Sequence, residues 1–173
     1  MTPEDFQALM AFLEETPENV RQSSADLTDE ERTWKPSDSE FSALEQVCHL
    51  RDIEQEGYAV RIDRLLTQDR PLLEDIDGSR LAVERSYNRQ PYGTALQEFT
   101  RARIENVKRL RTVSLEQLES RGVLQGVGEI TLGRLLELMR EHDQCHRDEL
   151  KGLRDRLSGR QASRSVSHET VAR

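Results

Sequence analysis

The chain has 173 residues, 35% of them hydrophobic and 34% charged, and a formal net charge of −8. That is material for one domain and one core; no apolar run approaches the roughly 20 residues of a membrane span, and the acidic balance is the wrong sign for nucleic-acid phosphates. Two cysteines, Cys48 and Cys145, are too few for a disulfide framework and form no CxxC, and the acidic start MTPEDFQALM lacks a basic-then-apolar signal pattern, so we expect a cytoplasmic protein.

The elements read as helices, with no alternating run that would suggest a sheet. Thr2-Pro3 is a start signal for the first helix, a capping threonine with proline at the first helical position. Its apolar face runs Phe6, Leu9, Met10, Leu13 and Val20, and Thr16-Pro17 is expected to kink or divide it. Thr28-Asp29-Glu30-Glu31 has the capping-box pattern of a short turn, and Trp34-Lys35-Pro36 forms a connector. The second helix is expected from Ser37–Ser39 to about Leu66. A polar segment from Asp69 to Tyr92, with Pro71, Gly78 and Pro91, reads as a surface loop longer than the usual 2–8 residues between bundle helices.

The third helix is expected from Pro91 to Arg111, with Leu96, Phe99, Ile104, Val107 and Leu110 facing in. A short polar turn, SLEQLESRG, and a glycine-rich connector from Gly122 to Gly128 lead to the fourth helix, from Thr131 to about Leu157. Beyond it SGRQASRSVSHETVAR has no periodic apolar face and reads as a disordered tail, residues 158–173. Residues 1–157 then form one all-α domain, for which a four-helix bundle is the default architecture.

Function is legible in the histidines. At about 100° per residue, Leu132, Leu135, Leu136, Met139, Leu150, Leu153 and Leu157 fall on one stripe of the fourth helix. His142 and His146 lie within roughly 20° of Leu135, in the middle of that stripe. Burying an imidazole costs free energy unless both ring nitrogens find partners. Spacing i, i+4 stacks the two rings about 5–6 Å apart at Cβ, so one metal ion can bridge them. Two hydrogen-bonded core histidines are the alternative. EHDQCH is not HExxH, which argues against a zinc protease.

A metal needs a further ligand, and His49, in LEQVCHLRDIE of the second helix, is the candidate inside the domain. Glu45, Ile53, Glu56 and Val60 fall within roughly 40° of it, while Leu44, Val47, Ile62 and Leu65 form a second stripe. Glu45, Asp52 and Glu56 are the carboxylates placed by the wheel as candidate general bases. Asp52 is also a candidate acceptor for the non-ligating nitrogen of His49. Glu149 is expected at the bundle rim rather than on an imidazole. Cys48 and Cys145 sit roughly 100° from the adjacent histidines and are expected to be small, buried, inert thiols. Trp34, Tyr58 and Tyr92 are expected to be core rather than pocket walls.

SEFSALEQVCHLRDIE, with His49, is similar to the helix-two motif of the DinB/YfiT-like family. Trp34-Lys35-Pro36 resembles the tryptophan-proline connector before that helix, and EHDQCHRDEL resembles the family's His-x-x-x-His on its last helix. The resemblance covers most of residues 1–157. It implies a four-helix bundle that binds one divalent metal ion, often zinc or nickel, with His49, His142 and His146 as ligands. It also implies a small-molecule substrate, and in some relatives a low-molecular-weight thiol as co-substrate of an S-transferase or isomerase. Other relatives are grouped as metal-dependent hydrolases, and homodimers are frequent. A non-catalytic metal-binding or stress-related bundle protein is the alternative to an enzyme. No nucleic-acid or membrane partner is expected.

Overall fold

A computed structural model describes the backbone of residues 1–171 and the side chains of residues 1–160. Among the described residues seven α-helices run in the order α1 (Pro3–Ser24), α2 (Asp29–Thr33), α3 (Ala43–Asp52), α4 (Ala59–Thr67), α5 (Gly78–Glu84), α6 (Tyr92–Leu110) and α7 (Leu132–Val171). A π-helical turn, Ile53–Tyr58, joins α3 to α4 without a break. The four long members of the bundle are α1, α3–α4, α6 and α7; α1 packs on α6 and α7, and α3 packs on the same two. The architecture is the four-helix bundle expected. Of the expected tail, the backbone of α7 extends to Val171; the side chains beyond Arg160 and residues 172–173 lie outside those described.

Local chemistry explains the helix starts. Thr2, Thr28 and Ser42 each accept the N–H of the third helical residue, and Asp5, Glu31 and Glu45 each return the bond to the cap backbone. The second long helix therefore opens at Ser42, later than Ser37–Ser39. Pro17 leaves α1 continuous. A proline inside a helix removes the bond to the carbonyl four residues back, here Leu13. That carbonyl accepts from Arg103 Nη1 at 3.1 Å, and this side-chain donor replaces the missing backbone N–H.

The segments expected as loops are partly ordered elements, which corrects the expectation of no strands. β1 (Leu72–Leu73) pairs parallel with β2 (Arg121–Leu124), which pairs antiparallel with β3 (Gly128–Thr131). The runs are too short to show alternation, but Leu73, Leu124 and Ile130 are buried and close one end of the core. Gly126, at φ +79°, supplies the left-handed position of the β2–β3 turn. Between residues 69 and 92, Leu81, Ala82 and Tyr87 are also buried. Asp77 caps α5 by accepting the Arg80 N–H.

The interior has two apolar clusters. One contains Leu13, Ile62, Leu110, Leu135 and Met139; the other contains Val20, Val47, Phe99, Leu150 and Leu153. Along α7 the two are separated by His142, Asp143 and His146. The expected inward face of α6 holds at Phe99, Val107 and Leu110 but not at Ile104, which is 61% exposed. Arg103 and Asn106 are buried on that helix instead, because acidic groups of α7 and the π-turn lie opposite them.

Candidate metal centre

His49 comes from the middle of α3, and His142 and His146 come from successive turns of α7. His49 and His146 are buried, and His142 is half-buried. His142 Nε2 stands 3.1 Å from His49 Nε2 and 3.1 Å from His146 Nε2. The three imidazoles thus turn their Nε2 atoms toward one point. Burial, followed by the neighbouring His146 and His142, pushes His49 down to about 3. Burial likewise lowers His142. Both rings are therefore neutral at physiological pH, the form that can donate a lone pair.

The far sides of the rings differ. His146 Nδ1 meets Gln46 Oε1 and lies 3.2 Å from Glu149 Oε2. The Nδ1 atoms of His49 and His142 are buried without a hydrogen-bond partner. Asp143 Oδ1 is 3.7 Å from His142 Nδ1, close enough to act electrostatically but beyond hydrogen-bond reach. Phe41 and Tyr58 hold the rings from outside, Phe41 at 5.5 Å from His49 and Tyr58 edge-on at 5.9 Å from His142. A Cβ on Gly78, the first residue of α5, would overlap Cε1 and Nδ1 of the His49 ring. The backbone of α5 therefore fixes how far that ring can retreat.

The donor set suits a cation. Whichever nitrogen of His49 or His142 carries the ring proton, one nitrogen of each ring that faces its neighbours or its wall goes unpaired. An unpaired buried polar atom costs about 1–3 kcal/mol. Nitrogen ligands about 2.0–2.1 Å from a tetrahedral zinc ion lie roughly 3.3 Å apart, near the spacing seen here. Three imidazoles, with no fourth donor in the cluster among the described residues, leave room for an exogenous ligand.

The carboxylates suggested by the helical wheel are engaged elsewhere. Glu45 takes the Ser42 N–H at 2.9 Å and the Lys35 ammonium at 3.2 Å. Asp52 accepts from Arg51, Arg85 and the Tyr87 hydroxyl at 2.6, 2.8 and 2.6 Å, so it does not serve His49. Glu56 is bidentate with Arg85 at 2.6 and 2.9 Å. Glu149 stands exposed at the rim as expected, yet it also accepts the Gln46 amide at 2.6 Å and sits beside His146. The hydrogen bond to His146 leads the interactions that hold its carboxyl down at about 2. Gln46, Phe41 and Gly78 are the site residues that the wheel misses. Gln46 lies three residues before His49, roughly one turn away, and that spacing is the signal that could have found it.

A buried ion network supports α7 behind the histidines. Arg103, 1% exposed, bonds Asp143 at 2.6 Å and Glu54 at 2.8 Å, and Asn106 Nδ2 donates to Glu54 at 2.8 Å. Burial alone would raise Asp143, but Arg103 and the His142 contact hold it below the usual carboxylate range. A cleft of about 530 Å³ opens beside His146, lined by Phe41, Gln46, Cys145, Glu149, Leu153 and Arg156 among others. A second groove, about 490 Å³, lies between α1 and α6, and none of His49, His142 and His146 lines it.

Fold and site together define a four-helix bundle with three imidazoles converging from its second and last long helices beside an open cleft. A sequence model of the DinB superfamily matches residues 13–150, and the chain belongs to that superfamily. Among solved structures it is similar to YfiT from Bacillus subtilis, described as a probable metal-dependent hydrolase with an unusual four-helix bundle topology. That likeness has 20% identity, a TM-score of 0.85, and coverage of 91% of this chain and 90% of YfiT. No curated protein sequence matches the chain. Among the described residues no helix is long and apolar enough to cross a membrane.

Proposed function

We propose that the chain is a metal-dependent enzyme acting on a small electrophilic molecule, with His49, His142 and His146 holding one divalent ion, zinc or nickel. The observation that carries this reading is the convergence of three Nε2 atoms, two of them on rings with an unpaired Nδ1; a cleft large enough for a small molecule reaches one of the three rings, His146. A divalent ion on three neutral imidazoles supplies Lewis acidity, so that water or a thiol gives up its proton near neutral pH. The reaction is then hydrolysis or transfer to a low-molecular-weight thiol.

The chain's own residues do the positioning. Burial keeps the His49 and His142 imidazoles unprotonated, Phe41 and Leu153 supply apolar wall, and the Glu40–Arg156 ion pair at 2.8 Å stands at the cleft. Glu45, Asp52 and Glu56 are committed to other partners, so the reading assigns no proton-accepting role to them. The likeness to YfiT and membership of the superfamily favour a metal-dependent activity. The test is turnover of a panel of esters, amides and thiol-plus-electrophile pairs by zinc- or nickel-loaded protein. His142→Ala, shown to remain folded by circular dichroism, should lose that turnover; unchanged turnover would sink the reading.

A further inference from the structure

Gln46 sits between a carboxylate and an imidazole, and that position fixes its orientation. Its side chain is buried, with Nε2 2.6 Å from Glu149 Oε2 and Oε1 against His146 Nδ1. A carboxylate at neutral pH only accepts hydrogen bonds. The amide NH2 must therefore face Glu149, and the amide oxygen must face His146. An oxygen at that place accepts, as does Glu149 Oε2 3.2 Å from the same nitrogen, so the His146 proton sits on Nδ1 and the Nε2 lone pair points at the other two rings. Reversing the amide would set its oxygen against the carboxylate oxygen of Glu149, acceptor against acceptor.

We propose that Gln46, locked by Glu149, is the positioning residue that holds His146 in its Nδ1–H tautomer and so readies Nε2 for the ion. This rests on the metal-centre reading above and adds a residue to it. The two other rings have no equivalent partner on Nδ1; His146 is thus the preset ligand, and the set is completed around it. Orientation of a ligand imidazole through its second nitrogen typically changes metal affinity by about 10–100-fold.

The experiment uses the full chain as wild type, Gln46→Ala, Glu149→Gln, and the exchange Gln46→Glu with Glu149→Gln, each checked for cooperative unfolding. Two readouts are taken: the His146 tautomer in metal-free protein, from two-bond proton–nitrogen correlation spectra, and zinc affinity, from competition with a chromogenic chelator. Wild type should show a single Nδ1–H form. Gln46→Ala should show a mixture or the Nε2–H form, with zinc affinity at least about tenfold weaker. The exchange restores an acceptor opposite Nδ1 and a donor opposite that acceptor, so it should recover both properties; general loss of packing would not be rescued this way. An unchanged tautomer in Gln46→Ala, or zinc binding within twofold of wild type, overturns the proposal. Wild type that takes up no zinc or nickel overturns the metal reading instead, and the tautomer spectra still decide the role of Gln46.

Discussion

At the residue scale, the centre depends on one side chain that is absent. Gly78 has no Cβ, and its backbone lies against His49. Gly78→Ala forces the ring to move, since Phe41 and the other imidazoles already occupy its remaining sides. The expected outcome is zinc affinity reduced by about tenfold or more with the fold intact, measured by chelator competition. The two thiols give a second prediction. Cys48 is buried, and burial pushes it up to about 12, whereas Cys145 is exposed at the cleft. A thiolate is the reactive form. A maleimide at pH 8 should therefore label one thiol in the native protein and two after denaturation, and Cys145→Ser should remove the native signal.

At the scale of elements, the legibility of the sequence follows the regularity of the helix. Through the stripe from Leu132 to Leu157, α7 is an uninterrupted α-helix, so a 100° wheel places His142 and His146 correctly on its inner face. On α3–α4 the core stripe Leu44, Val47, Ile62 and Leu65 is buried as expected, but the face that carries His49 follows the wheel only as far as Ile53. There the π-turn adds a residue to one turn and resets the phase. Glu54 goes inward, while Glu56 and Val60, expected beside His49, become exposed. Periodicity cannot report such a bulge, nor can it show that Arg103 replaces the backbone donor lost at Pro17. Short strands with two to four residues carry too few positions for a period-two pattern. The Arg103 network yields a prediction at this scale. Arg103→Met leaves Glu54, Asp143 and the Leu13 carbonyl without their cation, and should cost about 3–5 kcal/mol in urea denaturation. A loss below about 1 kcal/mol would show that these groups find other partners.

At the scale of the whole molecule, two apolar clusters are held apart by a polar layer that contains the histidines and the Arg103 network. A buried neutral histidine opposes acid. His49 has a folded value of about 3 against an ordinary value of 6.5, so between those limits the unfolded chain binds a proton that the folded chain refuses. The metal-free protein should therefore lose stability as pH falls below 6.5, by up to about 1.4 kcal/mol per pH unit for this one group. His142 acts in the same direction, and below pH 4 the lowered carboxyls of Asp143 and Glu149 add to it. Chemical denaturation from pH 8 to pH 4 measures the slope; a stability that rises toward pH 5 would contradict it. A divalent ion that binds only the folded chain should raise the melting temperature, and a chelator should reverse the gain.

The measurement that goes most directly to the centre is elemental analysis of the purified chain beside its His49→Ala, His142→Ala and His146→Ala variants, each reloaded with zinc or nickel and desalted. About one divalent ion per chain in the wild type, lost in every variant that remains folded, is the result expected from three nitrogens that share one point. A wild type that takes up no metal under reducing conditions, or a full complement in all three variants, would contradict it and leave the histidines as polar residues of the core.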